Sequence, residues 1–130
     1  MRKATFRAEQ GKISDKATTL ANLSRQVGTF VRSRDWEQFH SPKNLSMAIA
    51  IEAAELMDLF KWCSLETSRS LVQNRKVRNA VSDELADLLI LQLAFCNSIE
   101  LDLSQAVARK LSKIRSKYPV DLYKGKYTLD

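Results

Sequence analysis

The chain is predicted to be all-α, on three observations. Glycine and proline, the punctuation of strand-rich folds, occur three and two times in 130 residues. Apolar residues recur at helical spacing along most of the chain. Residues competent to cap helices stand ahead of the first and last of these stretches. The first helix is expected to begin near Ser14 or Asp15 and to carry Leu20, Leu23, Val27, Phe30 and Val31 on one buried face. The segment RDWEQFHSPKNL then reads as a loop, because Pro42 cannot sit inside a helix without breaking it. From Leu45 to Trp62 the chain is apolar almost all the way round, as in a helix buried in a bundle or an oligomer. A polar linker from Ser64 to about Lys76 precedes a third helix, Val77 to Ile99, which turns apolar on nearly every side after Glu84. Asp102 or Ser104 caps a fourth, whose stripe Leu103, Val107, Leu111 and Ile114 faces a core and which Tyr118-Pro119 ends. The expected organisation is one domain over 1–130, with its core at about 14–119 and a tail at 120–130.

Composition narrows the classes. Hydrophobic residues at 45% against charged residues at 28% describe a chain that folds, not a disordered one. The basic start, Met1-Arg2-Lys3, lacks the apolar stretch of a secretory signal. The longest apolar run, Leu88–Cys96 with Gln92 inside it, falls short of the roughly 20 residues of a membrane span. Two cysteines, Cys63 and Cys96, form no CxxC pair, disulfide framework or zinc motif. A cytoplasmic, reducing location without a membrane partner is therefore expected. The net charge of +6 suits a nucleic acid, a small polyphosphate or only a soluble surface, so its distribution has to decide.

That distribution is uneven. Glu52 and Glu55 lie three residues apart on the second helix, and Glu84 and Asp87 repeat the spacing on the third, so each pair shares one helix face. If the two helices pack antiparallel the pairs meet. Four carboxylates in a low-dielectric interior repel one another and shift toward their neutral forms unless a cation compensates. An all-oxygen ligand set suits magnesium or manganese, not zinc. A di-iron bundle would need Glu-x-x-His pairs, and the sole histidine, His40, lies in the loop. The alternative, solvated or base-paired acids, fits poorly: Asp58 and Asp83 also fall in these segments, and the nearby base on the second helix is Lys61.

Bases gather elsewhere. Arg109, Lys110, Lys113, Arg115, Lys117, Lys124 and Lys126 face a single acid, Asp121, a pattern that suits phosphate oxygens or a solvated tail. Trp36 and Trp62 flank the second helix and offer flat faces on which a base could stack, though tryptophans at helix ends are more often plain packing. No GxxxxGK[ST] or GxGxxG motif occurs, so a nucleotide would be held by metal and side chains.

The order RDWEQFHSPKNL, EAAEL with LFKW, DELADLL and SKYP, from about Arg34 to Pro119, resembles the MazG-like nucleotide pyrophosphohydrolases, most closely their dCTP-pyrophosphatase-like branch. The resemblance implies a four-helix-bundle-type fold assembled as a dimer or dimer of dimers. It further implies hydrolysis of nucleoside triphosphates between the α and β phosphates. By match to the motifs, Glu52, Glu55, Glu84 and Asp87 are the expected magnesium ligands, and Glu55 is assigned as the base that orients water. Trp36, Gln38, His40 and Trp62 are expected to line the base and sugar pocket, and Lys110, Lys117 and Tyr118 to face the phosphates. Val27, Leu91 and Ile114 stand where dCTP-directed members place histidine, tyrosine and asparagine, which leaves the metal site intact but loosens the expectation for cytosine. Two rivals remain: a helical nucleic-acid binder and a non-catalytic interaction dimer, neither of which explains the six clustered acids.

Overall fold

Six α-helices and one 3-10 turn make up the regular structure of the described residues, 13–127, of this computed structural model, and no strand occurs among them. They are α1 (Leu20–Arg32), the 3-10 turn Glu37–Phe39, α2 (Pro42–Asp58), α3 (Leu65–Leu71), α4 (Arg75–Ser98), α5 (Leu103–Lys117) and α6 (Val120–Tyr123). The basic start of the chain and the end of the tail lie outside the described residues.

Capping side chains set five of the six helix starts, and some starts differ from expectation. α1 begins at Leu20 because Thr19 and Asn22 form a capping box, each side-chain oxygen accepting from the other's backbone N–H at 3.1 Å. Ser14 instead closes a separate turn through its carbonyl, which accepts from Ala17 and Thr18. Pro42 does not interrupt a helix but opens one. With Ser41 as N-cap it takes the first helical position, where its missing N–H costs nothing. Leu59 to Trp62 form turns and Cys63 a bend, so α2 stops before Trp62. The linker contains a short helix, α3, capped by Ser64, and Asn74 starts α4 two residues earlier than expected, accepting from Lys76 and Val77. Asp102 caps α5 as read, and the tail holds a further turn of helix, α6.

The chain divides into two compact units, Met1–Glu100 and Leu101–Asp130. In the first, α4 packs against both α1 and α2. His40, just before α2, lines a cavity with Ala94, Asn97 and Ser98 at the end of α4, while Glu52 and Glu55 lie against Glu84 near its start. Helices α2 and α4 therefore run antiparallel, the arrangement under which the acid pairs meet. Val31, Leu45, Leu93, Ala94 and Cys96 form the buried core. The all-round apolar character of α2 predicts burial, yet within one chain Leu45 is its buried residue, and Met47, Ile51 and Met57 are 55%, 56% and 67% exposed. The reason is geometric: α2 has one helix, α4, packed closely along it, so a single face is covered. In the second unit Tyr118 and Tyr123 meet edge to face at 5.0 Å, joining the end of α5 to α6.

Ser41 holds the start of α2 by accepting from the Asn44 N–H at 3.2 Å. Ser41→Ala is expected to lower unfolding free energy by about 1 kcal/mol, read as a reduced urea midpoint at unchanged slope.

Candidate functional site

Antiparallel packing of α2 on α4 brings together Glu52, Glu55 and Glu84, each offering one oxygen within 4.8 Å of the other two. Glu52 and Glu84 are half-buried, whereas Glu55 is exposed. One Glu84 oxygen, Oε2, is shielded from solvent and has no hydrogen-bond partner among the described residues. A buried carboxylate oxygen without a donor is costly, and two further carboxylates beside it deepen the cost. Burial pushes the Glu84 carboxyl above the usual carboxylate range first, followed by repulsion from Glu55, Glu52, Asp87 and Asp83 in that order. The donor set is all oxygen and closely grouped, with one oxygen orphaned, so these residues fit a hard divalent cation.

Three of the four expected ligands thus converge. Asp87 stays outside the tight triangle, one turn along α4 and exposed, though near enough to act on Glu84. Asp58 leaves the acid group altogether, because its carboxylate is paired with Lys61.

The other expected contacts divide by position. Trp36 meets Phe30 edge to face at 5.7 Å, and the Arg34 guanidinium stacks 3.6 Å above the Phe30 ring. The Gln38 amide donates to the Asp35 carbonyl at 2.9 Å and to its carboxylate at 3.1 Å, which fixes the turn at Asp35, where φ is +54°. Trp62 is 88% exposed, with Lys61 over its ring. The two tryptophans flank a helix of 17 residues, which is about 26 Å long. They stand at opposite ends of it. His40 is half-buried and lines the cavity at the end of α4. Lys110, Lys117 and Tyr118 belong to the second unit, where Lys117 lies 5.3 Å from the Tyr118 ring centre. Other lining residues of the cavity, Arg25, Arg32 and Asn97, were not singled out by spacing; the legible signal was Gly28, a glycine in mid-helix.

With this geometry in place, comparison with known proteins is decisive. Residues 47–127 match the profile described as the MazG-like family. The chain belongs to the MazG-like family. It is 41% identical to dCTP pyrophosphatase 1 of Mus musculus over 113 residues, which are 85% of this chain and 66% of that protein. Identity to dCTP pyrophosphatase 1 of Homo sapiens is 36% over the same length, again 85% of this chain and 66% of the relative. The chain thus spans about two thirds of the length of these relatives. A crystal structure of a pyrophosphatase from Archaeoglobus fulgidus DSM 4304 superposes with a TM-score of 0.73 at 37% identity, over 83% of this chain and 99% of that one. The MazG-like match includes both acid pairs, since Glu52 through Asp87 fall inside 47–127.

The raised Glu84 carboxyl makes a sign-definite prediction for this MazG-like chain. The folded state holds that proton more tightly than the unfolded state, so metal-free stability falls as pH rises from the ordinary carboxylate range through the Glu84 value. Glu84→Gln removes the charge. In chelator, the variant is expected to melt above the wild type at pH 7, with the gap closing as pH falls below the carboxylate range; thermal melts across pH check it.

Proposed function

We propose that this chain is a hydrolase of the dCTP-diphosphatase type, splitting (deoxy)nucleoside triphosphates between the α and β phosphates to a nucleoside monophosphate and pyrophosphate. The observation that carries the reading is the triangle of Glu52, Glu55 and Glu84 around a shielded, unpartnered oxygen, in a chain whose relatives are named dCTP pyrophosphatases. Magnesium is the proposed cation, with manganese able to replace it, held by Glu52, Glu55, Glu84 and Asp87. When bound, it supplies positive charge to the triphosphate oxygens. Glu55, the exposed member, is the residue water can reach, and it takes the proton as the water oxygen bonds to the α-phosphorus and the bridging oxygen departs with pyrophosphate.

Substrate recognition falls to Trp36, Gln38, His40 and Trp62 for base and sugar, and to Lys110, Lys117 and Tyr118 for phosphates. Gln38 acts by bracing Asp35 and hence the Trp36 backbone, as its hydrogen bonds indicate. A pyrimidine deoxynucleotide, dCTP or a modified form, is the proposed substrate, in cleansing of the cytoplasmic nucleotide pool. A homo-oligomer, dimer or tetramer, is part of the same reading. The exposed Met47, Ile51 and Met57 on α2 give a surface that a second copy would cover, and a second copy could bring a Trp62 ring toward a distant Trp36.

Incubation of the purified chain with magnesium and a panel of nucleoside triphosphates is expected to release monophosphate and pyrophosphate, separated by anion-exchange chromatography. Glu84→Gln is expected to lower turnover by more than about a hundredfold. Magnesium should also raise the melting temperature of the wild type. Diphosphate plus inorganic phosphate as products would move the cleavage point, and a fully active Glu84→Gln would remove the ligand assignment.

A further inference from the structure

Away from the acid triangle, the first unit contains a cavity of about 620 Å³ between α1, the 3-10 turn and the end of α4. This lies within the range of about 300–1,000 Å³ usual for small-molecule sites. Its charged lining is Arg25, Arg32 and Glu37, joined by His40. No ion pair joins these groups, the one salt bridge among the described residues being Lys61–Asp58. Two arginines therefore line one cavity against a single acidic residue, and no ion pair among the described residues neutralises either.

A hydrogen-bonded pair lines the cavity. Ser24 Oγ donates to Asn97 Oδ1 at 2.6 Å, and Asn97 Nδ2 donates to the Ser24 carbonyl at 3.0 Å, so this pair clamps α1 to α4. One Asn97 N–H remains available, because the amide nitrogen carries two. Gly28, one turn after Ser24 on α1, also lines the cavity, and a glycine costs a helix interior about 1 kcal/mol relative to alanine. A Cβ at this position would lie 3.0 Å from Arg32 Nη1 and 3.4 Å from Asn97 Nδ2. The missing side chain lets a guanidinium head and an amide converge over bare backbone, both presenting N–H groups.

We propose that this cavity binds a phosphate group, as inorganic phosphate or a phosphomonoester, through Arg25, Arg32 and Asn97. Planar guanidinium forks match phosphate oxygens in pairs, and charge-assisted hydrogen bonds of this kind are the strong ones. The site is separate from the acid triangle. Asn97 lies thirteen positions after Glu84 on α4, about 20 Å along the helix axis. A phosphate here is therefore not the group under attack at the carboxylates; His40, which the proposed function gives to base and sugar, is the residue the two sites share.

The test is calorimetric titration of inorganic phosphate into the full chain in chelator, with ionic strength held constant by sodium chloride. Saturable binding at one site per chain is expected. Arg25→Gln and Arg32→Gln should each weaken it about tenfold or more. Gly28→Ala should weaken it as well by displacing the Arg32 head, with helix content retained by circular dichroism. Glu84→Gln, which tests the catalytic reading, should bind phosphate as the wild type does. A parallel titration with glycerol 3-phosphate, a phosphomonoester without a base, assigns the source: tighter binding than phosphate marks a phosphomonoester site, and equal or weaker binding marks free phosphate. Absence of saturation, or unchanged affinity in both arginine variants, overturns the proposal.

Discussion

Repulsion between carboxylates governs this molecule. Glu52, Glu55 and Glu84 converge within 4.8 Å, and one oxygen of Glu84 is shut away from water without a donor. A protein that needed only stability would not place these groups together, since truncating or neutralising one would relieve both the desolvation and the repulsion. The antiparallel pairing of α2 and α4 enforces the arrangement, and the Ser41 and Asn74 caps set the ends of those helices. Local helix signals are thus spent on holding a locally unfavourable charge cluster, the pattern of a site in which stability gives way to chemistry.

The acid pairs were legible because the spacing of three residues on a helix fixes a shared face whatever the tertiary context. Their convergence was conditional on antiparallel packing, which sequence alone left open. What sequence blurred were boundaries. Pro42 reads equally as a breaker and as a first helical residue, and Ser41 before it decides in favour of the second. Ser14 and Thr19 are both cap-competent, and the asparagine three residues after Thr19 makes the difference by closing a reciprocal box. Asp58 could not be separated from the other acids by spacing, because its partner Lys61 also lies three residues away.

Exposure carries a second message. The core of the first unit is small, and an apolar stripe on α2 stays open while charged residues are sparse along it. Hydrophobic faces of this kind are costly to leave in water, so the composition of α2 makes physical sense when a further surface covers it. The sequence reading of a helix buried on all sides and the single-chain observation of one buried side are consistent once coverage is shared between chains. Family membership at 36–41% identity to pyrophosphatases does not by itself fix that arrangement; the open stripe is the local reason to expect it.

Helix α4 finally carries two different groupings of side chains, one at each end. Its early turns carry Asp83, Glu84 and Asp87 toward negative potential, while its last turns carry Asn97 and Ser98 into a cavity rimmed by two arginines. About 20 Å of helix separates the two ends, farther than salt-screened charges act in physiological solution, where screening operates over about 8 Å. Each end can therefore hold its own ligand without cancelling the other's field. Gly28 is the clearest mark of this division. Its place in mid-helix works against α1 on propensity alone, and a Cβ there would be in tight contact with the Arg32 guanidinium and the Asn97 amide.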